Sequence, residues 1–297
     1  MEDVQRACRW RVGPSTSSVN YPIFALQQFS MINKFPIFLI ALLLGCRANP
    51  YRASNKVYKK QVKDLTHRLR EQPPNYFATQ TGEWVGTVNF DMRKPDFIII
   101  HHTAQDGCPM TLHTFTVKHS KVSAHYVICK DGTVHHMLND YFRAWQAGNS
   151  KWGHNTDINS CSIGIEIDNN GFEDFTVPQI NSLLSLLDTL KMKYRIPQEN
   201  IIGHGDIAPG RKVDPNWRFP WRLLAEHGFG EWYDDTTCVV VPENFNPYQA
   251  LRNIGYNLRD TVAVVNAFRR HWMQDTVYRP MDSISDKILY NLSQKYQ

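Results

Sequence analysis

Between Asp96 and Gly203 the chain gathers branched apolar residues into runs too short to be helices: Phe97-Ile-Ile-Ile100, Ala124 to Cys129, Ser162 to Ile167 and Ile201-Ile202. Short continuous apolar runs bounded by turn residues read as buried strands. The second run and Thr133 to Met137 flank Lys130-Asp131-Gly132, which reads as a hairpin with a glycine turn. A single longer stretch has helical spacing. Thr176 followed by Gln179 forms a capping box ahead of Ile180, Leu183, Leu184, Leu187 and Leu190, which share one helical face, and Arg195-Ile196-Pro197 ends it. Strands, a packed helix and a further strand predict an α/β domain with a mixed central β-sheet and flanking helices.

After about Thr236 the pattern turns helical, over Tyr248 to Ile254, Thr261 to Trp272 and Ser283 to Tyr296, predicting a small all-α C-terminal domain of three helices. Val262, Val265, Phe268 and Trp272 are expected to form its core stripe. With 297 residues, 42% of them hydrophobic, the chain has material for one full core and a smaller one. The net charge of +5 is not gathered into runs, which excludes the basic stripe of a nucleic-acid binder. No protein partner is predicted. Six cysteines, Cys8, Cys46, Cys108, Cys129, Cys161 and Cys238, are scattered without a CxxC pair, which argues against a zinc ribbon or a disulfide scaffold and leaves any pairing open.

The N-terminal part reads as targeting. Met31-Ile-Asn-Lys34 precedes an apolar run from Phe35 to Leu44, then Gly45-Cys46, a run well short of the roughly 20 residues that span a bilayer. Leu43-Leu44-Gly45-Cys46 resembles the bacterial lipobox, which implies cleavage before Cys46, acylation of that cysteine and a periplasmic, lipid-anchored protein at the outer membrane. Met31 is then the start of the exported chain and residues 1–30 an upstream extension. Loss of residues 1–45 removes four basic and two acidic side chains and takes the net charge from +5 to +3. The expected organisation is 31–46 signal peptide, 47–90 spacer, 91–235 catalytic domain and 236–297 helical domain.

His101 and His204 stand apart from the other histidines. Each directly follows a strand-like run, so both rings can project from one end of a sheet, and Asp214 follows ten residues after His204 in a loop stiffened by Pro209 and Pro215. Two imidazoles and a carboxylate are a known catalytic zinc set with a fourth position free for water. On spacing alone, histidines merely hydrogen-bonded at a sheet end remain an alternative. His67, His113, His119, His227 and His271 read as surface residues.

Five ordered motifs go further: Ile98 to Ala104 (IIIHHTA), Ser123-Ala-His-Tyr126, Arg143-Ala-Trp-Gln-Ala-Gly148, Asn159 with Ser162 to Ile167 (SIGIEI), and Gly203 to Pro215 (GHGDIAPGRKVDP). They resemble, in order, the zinc-dependent N-acetylmuramoyl-L-alanine amidases that include AmpD and AmiD, with the peptidoglycan recognition proteins as distant kin. The resemblance spans residues 95 to 225. It implies one zinc ion held by His101, His204 and Asp214, with Glu166 as catalytic carboxylate, Lys212 as cationic helper and peptidoglycan or muropeptides as substrate. Arg143, Trp145 and Asn159 are expected to shape the substrate groove. One departure is Gln146, where many relatives carry histidine. The C-terminal piece resembles, less closely, the peptidoglycan-binding helical domain of AmiD-type enzymes. A non-catalytic peptidoglycan receptor is the alternative, disfavoured because a pure binder has no use for an open metal position.

On physical grounds the same roles hold together. Amide hydrolysis at neutral pH needs an activated water, which zinc provides by lowering its pKa to about 7. Glu166, between Ile165 and Ile167, should face away from both and exchange protons with water and leaving group. Lys212 can stabilise charge that develops only in the transition state.

Overall fold

The computed structural model describes residues 49–71, 87–276 and 278–296. The predicted signal peptide and lipid-attachment residue Cys46 lie outside the described residues. In chain order the helices are α1 (Arg52–Leu69), α2 (Cys108–Thr116), α3 (Val177–Tyr194), α4 (His204–Ile207), α5 (Trp221–Glu226), α6 (Pro247–Ile254), α7 (Thr261–Trp272) and α8 (Ser283–Ser293). The strands are β1 (Phe97–His102), β2 (Tyr126–Ile128), β3 (Val134–His136), β4 (Ser162–Ile167) and β5 (Ile201–Gly203). They form one five-stranded sheet in the order β3-β2-β4-β1-β5, with only the β2–β3 hairpin antiparallel.

Alternation along β1 and β4 divides the core in two. Ile98, Ile100, Ile163, Ile165 and Ile167 face α3, which answers with Ile180, Leu183, Leu187, Leu190 and Tyr194, and α5 adds Trp221 and Leu224. Phe97, Ile99 and Ile202 face the other way, into a cluster that includes Leu251 and Ile254 of α6, Val264 and Phe268 of α7, and Leu289 of α8. Full burial of one such isoleucine is worth about 1.5–3 kcal/mol. The three C-terminal helices thus form where expected and share this second core with the sheet.

α3 begins at the predicted capping box: Thr176 Oγ1 accepts from the Gln179 amide at 3.3 Å, and Gln179 Oε1 accepts from the Thr176 amide at 2.9 Å. It ends at Arg195, whose left-handed backbone, φ 54°, turns the chain into Ile196-Pro197.

Three differences from the sequence reading have clear causes. The spacer contains α1, which buries no residue and so lacks the apolar stripe that pattern reading depends on. Val262 is 62% exposed, because the buried face of α7 runs through Val264, Val265, Phe268, His271 and Trp272 instead. His271, read as a surface residue, is 4% exposed because Asp206 partners it inside the core. The cysteine pairing, left open by the sequence, is supplied by the structure: Cys108 and Cys129 form a disulfide that joins the start of α2 to the end of β2, while among the described residues Cys161 and Cys238 are free. Among the described residues no helix is long and apolar enough to cross a membrane.

Candidate metal centre

Parallel pairing sets the site. β1 pairs with β5 at Ile100↔Gly203 and with β4 at His101↔Glu166, so the next residues out, His101, His204 and Glu166, emerge side by side at the same sheet end. The loop after α4 brings Asp214 back over it, held by the Gly205 amide donating to the Asp214 carbonyl at 2.7 Å. His101, His204 and Asp214 are 1%, 2% and 7% exposed.

Nδ1 of His101 and Nδ1 of His204 each lie 3.0 Å from the same Asp214 Oδ2, and the two rings meet edge to face at 4.5 Å. One donor atom from each of the three residues lies within 4.8 Å of the others. The far nitrogens are committed elsewhere. Nε2–H of His101 donates to Gln146 Oε1 at 2.5 Å and that of His204 to the Ala147 carbonyl at 3.2 Å. Protonation at Nε2 would free both Nδ1 lone pairs for a metal; without one, a proton on Nδ1 makes the 3.0 Å contacts hydrogen bonds to Asp214 Oδ2.

Gln146 is fixed in turn. Its amide nitrogen donates to Ser162 Oγ at 2.7 Å, and that hydroxyl donates to the Ile158 carbonyl at 2.6 Å, which leaves Oε1 as the atom facing His101. Its side chain lies directly on β4, where a Cβ at Gly164 would come within 2.7 Å of Gln146 Cγ. The glycine inside this strand is explained by that approach.

Electrostatics separate the acids. Burial pushes the Asp214 carboxyl up, but hydrogen bonds from His101 and His204 overcome it and hold the group well below the carboxylate range. Burial pushes Glu166 up to about 6, against the charge of His101, with Asp214 adding to the rise and Lys212 opposing it. Burial, then the charge of His101, lowers His204 to about 4. Burial also works to lower His101, yet Glu166 and Asp214 together raise it. Two imidazole nitrogens and a carboxylate oxygen, all buried and within 4.8 Å of one another, are a donor set for a divalent cation. The donor set therefore fits zinc.

Glu166 Oε1 lies 4.0 Å from His101 Nδ1, while Glu166 Oε2 is buried with no hydrogen-bond partner among the described residues. As expected, the side chain faces away from Ile165 and Ile167. Lys212 is half-buried in the loop, and its charge acts on both Glu166 and His204.

The N-acetylmuramoyl-L-alanine amidase family model matches residues 91–217, which contain all five of these side chains. The chain is 30% identical over 230 residues to N-acetylmuramoyl-L-alanine amidase AmiD of Escherichia coli K12, covering 67% of this chain and 82% of that protein. It belongs to the N-acetylmuramoyl-L-alanine amidase family. Among solved amidase structures it resembles E. coli AmiD in complex with the substrate anhydro-N-acetylmuramic acid-L-Ala-D-γ-Glu-L-Lys, with TM-score 0.63 and 28% identity over 71% of this chain and 93% of that one. It also resembles AmpDh3 of Pseudomonas aeruginosa in complex with anhydromuramic pentapeptide, with TM-score 0.63 and 29% identity over 76% of this chain and 99% of that one.

Around this amidase centre the remaining site residues behave differently from one another. Trp145 is 55% exposed. Arg143 donates to Asp157 and Ser160, both at 2.9 Å. Asn159 Oδ1 accepts from the amides of Gln146 and Ala147 at 3.0 and 2.8 Å, so its carbonyl oxygen holds the loop that carries both histidine-orienting groups. His102 points from the opposite face of β1; its Nδ1 is buried with no hydrogen-bond partner among the described residues, and burial lowers its pKa. Two participants escaped sequence reading. Gln146 was visible only as a departure from histidine. Arg211 donates to the Ala147 carbonyl at 2.6 Å and lies 3.3 Å from His204 Nε2, a role that needs the fold to bring its loop against residue 147.

Proposed function

We propose that the protein is a zinc-dependent N-acetylmuramoyl-L-alanine amidase that hydrolyses the bond between the lactyl group of N-acetylmuramic acid and L-alanine in peptidoglycan or its muropeptides. Family membership supplies the reaction. The observation that carries the site is a buried His101–His204–Asp214 set with an unpartnered Glu166 oxygen beside it. One zinc ion per chain on those three residues would act as Lewis acid toward the amide carbonyl and the attacking water.

The chain's own groups do the rest. Gln146 and the Ala147 carbonyl hold the two imidazoles in the donor tautomer. Glu166 takes a proton from the attacking water and passes it to the departing alanine nitrogen, so one carboxylate serves as base and then acid. Lys212 stabilises negative charge on the carbonyl oxygen in the transition state. Trp145, exposed and next in the chain to Gln146, would offer an apolar face to a sugar ring, with Arg143 and Asn159 as further groove residues.

Residues 31–46 support export and lipid attachment at Cys46, which would place the enzyme at the periplasmic face of the outer membrane; the C-terminal helices are a second contact with the wall. Replacing Cys46 by Ala should move the protein from membrane to soluble fractions.

The direct test is mass spectrometry of products from peptidoglycan and from soluble muropeptides, each with and without a zinc chelator. Chelator-sensitive release of free peptides beginning with L-alanine is expected. Binding without release would make the protein a receptor on an amidase frame.

A further inference from the structure

His204 is mounted on α4, a helix of four residues that has little stability of its own. What holds it comes from the C-terminal helices. His271, on the last turn of α7, places Nδ1 2.7 Å from Asp206 Oδ2, two residues beyond the ligand. Both side chains are 5% exposed. The imidazole is stacked between Trp221, at 4.0 Å, and Trp272, at 4.3 Å between ring centroids. Asp206 Oδ2 also accepts from the Gly203 amide at 3.0 Å, and Oδ1 accepts from the Tyr256 hydroxyl at 2.8 Å, which in turn receives the Trp272 indole N–H at 3.3 Å.

One carboxylate therefore fastens three things: the end of β5, the short helix that presents His204, and the helical C-terminal region. Arg270 of α7 reaches the same short helix: its Nη1 would lie 2.6 Å from a Cβ built at Gly205.

We propose that His271 is a positioning residue of the metal centre: by anchoring Asp206 it fixes the orientation of His204, so ligand geometry depends on the docking of α7. The C-terminal helices then serve the active site as well as the wall. The physical requirement is tight, because a ligand misplaced by about 0.5 Å already weakens a metal site. α4 cannot meet that tolerance alone. This inference rests on the zinc reading of His101, His204 and Asp214.

A merely structural role for His271 would lower thermal stability and leave metal affinity alone, so the two quantities are measured separately on the full chain. Zinc dissociation constants come from competition with a chelator of known affinity, and melting temperatures are taken on metal-free protein. H271A should weaken zinc binding by about 10- to 100-fold, the range seen when groups behind metal ligands are removed. H271Q, which keeps a donor able to reach Asp206, should recover most of that loss. L289A, in the shared core on α8, should lower the melting temperature without changing zinc affinity. If H271A fails to fold, H271N carries the same comparison. Equal zinc affinity in the His271 variants and L289A would overturn the coupling while leaving the metal centre intact. A wild-type chain that takes up no zinc would overturn the zinc reading itself, and the proposal with it.

Discussion

Glu166 and Asp214 are buried carboxylates of one site whose surroundings drive them apart, the first up to about 6 and the second well below the carboxylate range. Under the proposed mechanism the first would carry proton traffic and the second a permanent charge. Replacing Glu166 by Gln should cut turnover by about 10²- to 10⁴-fold. Zinc content, read by elemental analysis, should stay at wild-type level; a variant that kept its turnover would remove Glu166 from the proton path. Gln146 makes a different prediction. Gln146→Leu takes the acceptor from His101 Nε2 and should weaken zinc binding about 10- to 100-fold, with no new charge at the site. At this scale the clustering of the two histidines was legible because each ends a strand-like run, and parallel pairing turns that shared position into proximity. Asn159 and His271 were not. Nothing local in the sequence shows that Asn159 pins the loop of Gln146 and Ala147, and the partner that buries His271 lies 65 residues away.

The elements are held by a few polar devices whose strength can be measured. The capping box of α3 predicts that Thr176→Ala costs about 1 kcal/mol in denaturant unfolding. At its other end Asp140 accepts from the hydroxyls of Tyr126 and Tyr194, both at 2.7 Å, and from Lys193 at 3.3 Å, joining α3 to β2. Burial works to raise the Asp140 pKa, but these donors overcome it and the net shift is downward. A depressed folded-state pKa means that the carboxylate contributes stability above its unfolded value of about 3.9 and loses it as pH falls through the folded value. The stability gap between wild type and Asp140→Asn should thus be constant near neutrality and close in acid. A gap that widened on acidification would refute the assignment. The capping box and the hairpin could be read directly, since their signals are local. α1 could not, having no buried face, and the stripe on α7 was misplaced by Val262, a residue of the first turn that points to solvent.

Across the whole molecule the sheet has a core on each face, and one of those cores belongs jointly to the strands and to α6, α7 and α8. Shared burial predicts one cooperative unfolding transition, with circular dichroism and tryptophan fluorescence superimposing. Two separated transitions would mean that the helical region folds by itself. Residues 91–235 without those helices would expose Phe97, Ile99 and Ile202 to water.

The Cys108–Cys129 bridge carries a meaning that is biographical rather than structural. Bridges of this kind form and persist in oxidising compartments and are rare in the cytosol. Because Cys238 is free and exposed, every folded chain has a thiol that an alkylating reagent can count, whatever its history. Cys108 and Cys129 would add to that count only in chains that had never met an oxidant. Rapid alkylation of living cells followed by mass measurement would therefore sort the population by itinerary, separating molecules that have met an oxidising compartment from those that have not.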